Sequence, residues 1–161
     1  MPTALDMLNI FRAMNMTDIA EEVLNKTAPV ALEANKDQLY DGKLSTGEDI
    51  SPTYLEDPYF KSKESAQRYS DWKDAITPNS RRKKGVPNLF INGAFYRSIE
   101  VQAKGGGLLY HSSFFKASDI ESKFSTNVYG LGGEYRDNFL QANLEPEWQQ
   151  RIENETGLTF K

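Results

Sequence analysis

The chain contains no cysteine and a single histidine, His111. Disulfides, thiolate metal sites and cysteine nucleophiles are therefore excluded. Any metal site would rest on carboxylates, and no D-x-[DN]-x-[DN]-G loop is present to form one. The acids and glycines of "DGKLSTGED" lack that ligand spacing, so surface-loop charge accounts for them, and no cofactor is expected. No apolar run approaches the ~20 residues that span a bilayer. The opening "MPTALDMLNIFRAM" lacks the basic start and apolar core of a signal peptide, so a protein made and kept in a cytoplasm, or packaged from one, is expected, with no membrane partner. Positive charge is short as well: a net charge of −4 gives no global electrostatic case for nucleic acid. Repeats and low-complexity segments are absent.

What remains is a chain of 161 residues, 39% apolar, 26% charged and 12% aromatic. The length fits one domain over 1–161 with a real core. A modest apolar share with many aromatics fits a small core that completes its burial against partners.

The first quarter, 1–42, reads as helical. Leu5, Leu8, Phe11 and Met14 recur at helical spacing behind a Thr3 cap with Asp6 three residues on. A second helix restarts with Thr17 as cap and Ile19, Val23 and Leu24 on one face, and a third begins at Pro29 and closes at Asp41-Gly42. Residues 43–61 are rich in turn formers yet carry Ile50, Tyr54, Leu55, Tyr59 and Phe60, which points to an ordered interaction loop. Segment 62–87 gives a helix with Ala66, Tyr69, Trp72 and Ile76 along one stripe, then the basic loop "SRRKKG".

The β region is placed at 88–130. "NLFI" and "SIEVQA" read as strands, and Gly105-Gly106-Gly107 forms a hairpin tip before "LLYHSSFF". Ser118 and Glu121 form a capping box for a short helix, and "NVYGLGG" is a glycine-broken turn or a last short strand. In the tail, 131–161, Leu144, Trp148 and Ile152 repeat every four residues, with Pro146 suited to a first turn and Gly157 to a C-terminal cap. The expected fold is α+β: an antiparallel sheet of three to four strands flanked by N-terminal and C-terminal helices.

Chemistry is sparse. His111 has serines beside it, but no G-x-S-x-G elbow frames any of them, so an outward strand histidine is the plainer reading. Paired acids such as Glu48-Asp49, Glu56-Asp57 and Glu145/Glu147 are what a chain with 23 acidic residues yields by chance. The glycines of "KGGGLL" and "YGLGG" do not match a phosphate loop. The run Arg81, Arg82, Lys83, Lys84 is the one charge feature. It can meet phosphates through salt-sensitive contacts, or pair with another subunit, or simply be solvated. No stacking motif flanks it.

The stretch "NLFINGAFYRSIEV" does not alternate as a simple Asn-Gly hairpin would. A turn at Asn92-Gly93, one helical turn, then a strand from Ser98 fits it as well. With Leu89, Asn92, Gly93, Phe95, Ser98 and Ile99 followed by the Gly105–Gly107 tip and "LLYHSS", this pattern resembles the tail-completion, or head–tail joining, proteins of tailed bacteriophages. "NKDQLYDGKLSTGEDISPTY" and "NVYGLGGEYRDNFLQANLEPEWQQRIENETG" resemble versions carried by Bacteroides-infecting and crAss-like phages, so the likeness runs in pieces over roughly 35–157. Two departures stand out. Asn92 occupies the place of the usual threonine, and 55–76 expands a loop that is short in that family.

The resemblance implies a structural virion component without an active site, assembled in the host cytoplasm as a ring of copies in the neck or upper tail. Its partners would be further copies, the portal and adjacent neck or tail proteins, with non-specific contact to packaged DNA. Rings use heterologous contacts, and aromatic anchors carry most of an interface's energy. The candidate interface residues are Tyr54, Tyr59, Phe60, Phe114, Phe115 and Trp148, and the candidate DNA contacts are Arg81 to Lys84. Two other readings stay open here: a cytoplasmic nucleic-acid-binding or regulatory module using the basic loop, and a tail-associated cell-wall hydrolase with two carboxylates.

Overall fold

The computed structural model describes residues 3–159. Helix α1 (Ala4–Ala13) opens on the capping box expected of Thr3: its hydroxyl accepts from the Asp6 N–H at 3.2 Å, and the Asp6 carboxylate accepts from the Thr3 N–H at 2.9 Å. Helix α2 (Met16–Tyr40) is capped by Asn15, which accepts from the Asp18 N–H, so Thr17 lies inside the helix. The expected break at Pro29 does not occur. A mid-helix proline costs about 3 kcal/mol through its missing N–H and its ring. Here Ile19 and Val23 are buried on one side of it and Ala31 and Leu39 on the other. Burial of each large side chain contributes ~1.5–3 kcal/mol, so two anchored halves outweigh one weakened joint.

The loop that follows is ordered. Leu44 and Ile50 are buried, and the Tyr54 N–H donates to the Gly85 carbonyl at 2.9 Å. Helix α3 (Lys63–Ile76), capped by Ser62, turns a different face inward than its apolar spacing indicates. Ala66, Ser70 and Lys73 are buried, while Trp72 and Ile76 are exposed.

Gly93, at φ 79°, precedes the short helix α4 (Ala94–Ser98), and the Asn92 side chain accepts from the Ala94 N–H at 3.0 Å. Strand β1 (Ile99–Lys104) then pairs antiparallel with β2 (Gly107–Ser112), from Ile99 opposite Ser112 to Lys104 opposite Gly107. Gly105 and Gly106 both hold positive φ, as a two-residue hairpin turn requires. Turn, helical turn, strand and glycine tip thus follow one another as the sequence pattern indicates.

The sheet is smaller than expected: among the described residues, two strands, not three or four. "NLFI" is not a strand because local side chains take over its backbone. Asn88 accepts from the Phe90 N–H at 3.1 Å, the Tyr96 hydroxyl donates to the Asn88 carbonyl at 2.5 Å, and Leu89 sits at φ 56°. "NVYGLGG" forms a 3₁₀ turn (Thr126–Val128) and a loop, with no strand.

Helix α5 (Ala117–Phe124) starts before Ser118, so the expected capping box is not made, and Glu121 instead accepts from the Tyr129 hydroxyl at 2.7 Å. In the tail, α6 (Gly133–Phe139) runs through a wide π turn at Leu140–Leu144 into α7 (Glu145–Thr156). The widening precedes Pro146, which cannot donate to the preceding turn. Gly157 closes α7 at φ 70°.

Leu39, Leu44, Ile50, Val86, Phe95, Tyr96, Ile99 and Val128 form the core cluster. It gathers the end of α2, the loop after it, α4 and the 3₁₀ turn. Helix α2 also packs along β1 and along the tail helices.

Candidate interaction surface

The six aromatic candidates separate by depth. Tyr54 is buried, with edge-on contacts to Tyr69 at 5.1 Å and Phe60 at 6.5 Å between ring centres. Phe60 is half-buried beside Tyr69, and Phe114 is half-buried 6.0 Å from Phe95. These three hold the fold together. Tyr59 and Phe115 stand out, 79% and 80% exposed. Trp148 is half-buried in a groove described below.

Tyr59 is presented by a fixed backbone. The buried Asp57 accepts from the Tyr59 N–H at 3.0 Å and pairs with Lys123 of α5, whose ammonium lies 6.0 Å from the centre of the Tyr59 ring. Phe115 packs against Phe114 with the rings tilted, 4.9 Å between centres, and lies under the Lys116 ammonium. Large apolar rings kept in water on ordered backbone are the usual anchors of a protein contact.

The basic run is not one cationic patch. Arg82 is buried, donating to Asp74 at 3.0 Å and to the Thr77 carbonyl at 3.1 Å. Arg81 pairs with Asp41 and Glu134, and Lys83 pairs with Asp49 at 2.6 Å. Among the described residues Lys84 makes no ion pair. Acidic neighbours therefore take up most of the charge that was a candidate for DNA.

Behind Arg82 lies Lys73, only 1% exposed, whose ammonium donates to the Phe90 carbonyl. Burial and the neighbouring Arg82 cation lower its pKa to about 8, against a smaller raising effect of Asp74. Two guanidinium nitrogens of Arg82, Nε and Nη1, have no hydrogen-bond partner among the described residues. Periodicity gave no sign of this buried cation pair, because both residue types read as surface.

An open cleft of about 470 Å³ lies between α2 and α6, lined by Asp37, Asp41, Arg81 and Tyr135. The Tyr135 hydroxyl donates to Asp41, Asn79 donates to the other Asp41 oxygen at 2.7 Å, and Arg81 approaches Asp41 at 3.2 Å. Burial, then that bond to Asp41, raises the Tyr135 pKa. Asp41 is thus a brace between helix end, basic loop and tail. Asp37 is held above the usual carboxylate range by burial and then by the charges of Glu33 and Asp41.

The polar residues that matter most structurally were legible only as part of "NKDQL". Asn35 donates to the Val128 and Gly130 carbonyls, each at 3.0 Å. Gln38 donates to the Gly130 carbonyl and accepts from the Gly132 N–H, both at 2.9 Å. Two segments far apart in the chain, 35–39 and 128–132, are therefore clamped together. Gly132 has no room for a side chain, since a Cβ would stand 1.9 Å from the Ser45 carbonyl oxygen.

His111 is exposed and faces Glu100 across the hairpin at 3.0 Å, while Ser112 bonds Ser98 at 2.6 Å. No serine–histidine–acid relay is assembled there. Among the described residues, no group of three His, Asp or Glu side chains is placed to hold a metal ion, and no helix is long and apolar enough to cross a membrane.

The second cavity is an apolar groove of about 340 Å³ between α2, the hairpin tip and the start of α7, lined by Val23, Leu24, Leu144 and Trp148. Helix α1 touches α7 while leaving Leu5, Leu8 and Phe11 64%, 44% and 42% exposed. No family model, no curated protein and no solved structure matches this chain.

Proposed function

We propose that the protein is a structural, non-catalytic component of a tailed-phage virion, assembled in the host cytoplasm as a ring of copies in the neck or upper tail beside the portal. One observation carries the reading. Apolar side chains stand exposed on ordered backbone at separate places, Leu5 and Leu8 on α1, Tyr59 on the loop and Phe115 before α5. Separate sticky surfaces on one copy are what heterologous ring contacts need. The resemblance to tail-completion proteins supports the same reading, and its pieces at 35–39 and 128–132 lie in contact. Contact with DNA, in this reading, falls to Lys84 with Arg81 and Lys83 at the surface, and is sequence-blind.

The test is sedimentation and electron microscopy of the purified protein, alone and with portal. A ring in either case is the expected result, and a persistent monomer in both refutes the proposal.

The hydrolase alternative meets one specific observation, the cleft with Asp37. Glycoside hydrolysis needs two carboxylates acting from opposite sides of the bond. Asp41 is committed to Tyr135, Asn79 and Arg81, so Asp37 lacks a second carboxylate free to act. A zymogram on host peptidoglycan decides between them: clearing abolished by Asp37→Asn would favour the enzyme.

A further inference from the structure

Helix α1 is a short element that, among the described residues, rests on α7 and leaves Leu5, Leu8 and Phe11 exposed. At 10 residues it is below the ~12–15 needed for even marginal helicity in water, so its structure depends on a surface to lie against. Leu5, Leu8, Phe11 and Arg12 fall within an arc of roughly 120° at 100° per residue. That stripe faces solvent along its length. The same chain leaves the apolar groove of Leu24, Leu144 and Trp148 open.

The joint between α1 and α2 is ordered on both sides. The Met14 N–H is held by the Ile10 and Phe11 carbonyls, and Asn15 caps α2 through Asp18. Charge matches as well. Among the described residues Arg12 has no ion-pair partner, and neither has Glu145, the one charged residue lining the groove. An apolar stripe ending in a cation faces an apolar groove edged by an anion.

We infer that α1 of one copy seats in the groove of the next, with Leu5, Leu8 and Phe11 against Leu24, Leu144 and Trp148 and Arg12 beside Glu145. The contact joins two different surfaces, so it propagates from copy to copy and closes where the rotation allows. It rests on the proposed ring and names the surface that makes it.

The absence of native cysteine allows a clean test on the full chain. Leu8→Cys and Gln149→Cys chains are prepared separately, mixed and oxidised; Gln149 lines the groove. A disulfide-linked pair in the mixture is expected, together with loss of the multimer in Leu8→Asp at unchanged melting temperature, because Leu8 lies outside the core. A multimer that survives Leu8→Asp and yields no mixed cross-link overturns the inference while leaving the ring intact. If wild type stays monomeric alone and with portal, the ring and this contact fall together. Closure within one chain in a Leu8→Cys/Gln149→Cys double variant puts the arm in its own groove, which also overturns the inference.

Discussion

Raising the pH from 8 to 9.5 should stabilise this protein, and Lys73 is the reason. Its side chain is 1% exposed, faces the buried Arg82, and has its pKa lowered from 10.5 to about 8. In the unfolded chain the ammonium keeps its ordinary pKa. Between the two values the unfolded state binds more protons, so unfolding free energy increases with pH. Below pH 8 both states are protonated and the full penalty of the buried charge is constant. A full unit well inside the window is worth about 1.36 kcal/mol; because folded Lys73 is still half protonated at pH 8, the gain from 8 to 9.5 is ~1–2 kcal/mol. The window has an upper edge. Burial raises the pKa of Tyr54, Tyr96 and Tyr129 above 10, and ionisation of tyrosines in the unfolded chain then opposes folding as pH climbs further. The assay is urea denaturation at half-unit steps from pH 7 to 10, read by tryptophan fluorescence. Lys73→Met is the control: its absolute stability depends on how the Phe90 carbonyl is re-satisfied, but its slope between 8 and 9.5 should be flat. A flat profile in wild type, or the same slope in both proteins, would refute the argument.

Other expectations are simpler. Gly132→Ala drives a methyl into the Ser45 carbonyl and should cost at least the upper part of the ~1–3 kcal/mol range for overpacking, seen as a lower melting temperature. Asn35→Ala deprives the Val128 carbonyl of its side-chain donor and weakens the hold on Gly130, for an expected loss of ~1–3 kcal/mol in chemical denaturation. Tyr59→Ser combined with Phe115→Ser should leave stability within ~0.5 kcal/mol and weaken assembly, measured by sedimentation. Retained assembly in that double variant would remove these rings from the interface.

Much of the local structure was decided by residues close in sequence. Thr3 with Asp6, Asn92 with Gly93, the Gly105-Gly106 tip, Pro146 and Gly157 each act within a turn or so, through a cap, a positive φ or a missing N–H. Hence the chain order turn, helical turn, strand and hairpin could be read in advance. Only the tertiary structure decided what became of longer segments. Pro29 sits inside one helix because distant elements bury α2 on both sides of it. "NLFI" gained no strand partner because Asn88 and Tyr96 satisfied its backbone first. Lys73 and Arg82 went inside, and Trp72 and Ile76 stayed out, because α3 packs through the side that carries Ala66 and Ser70. Burial is a property of which elements arrive from far along the chain, and a local pattern of residue types records only which positions would gain from it.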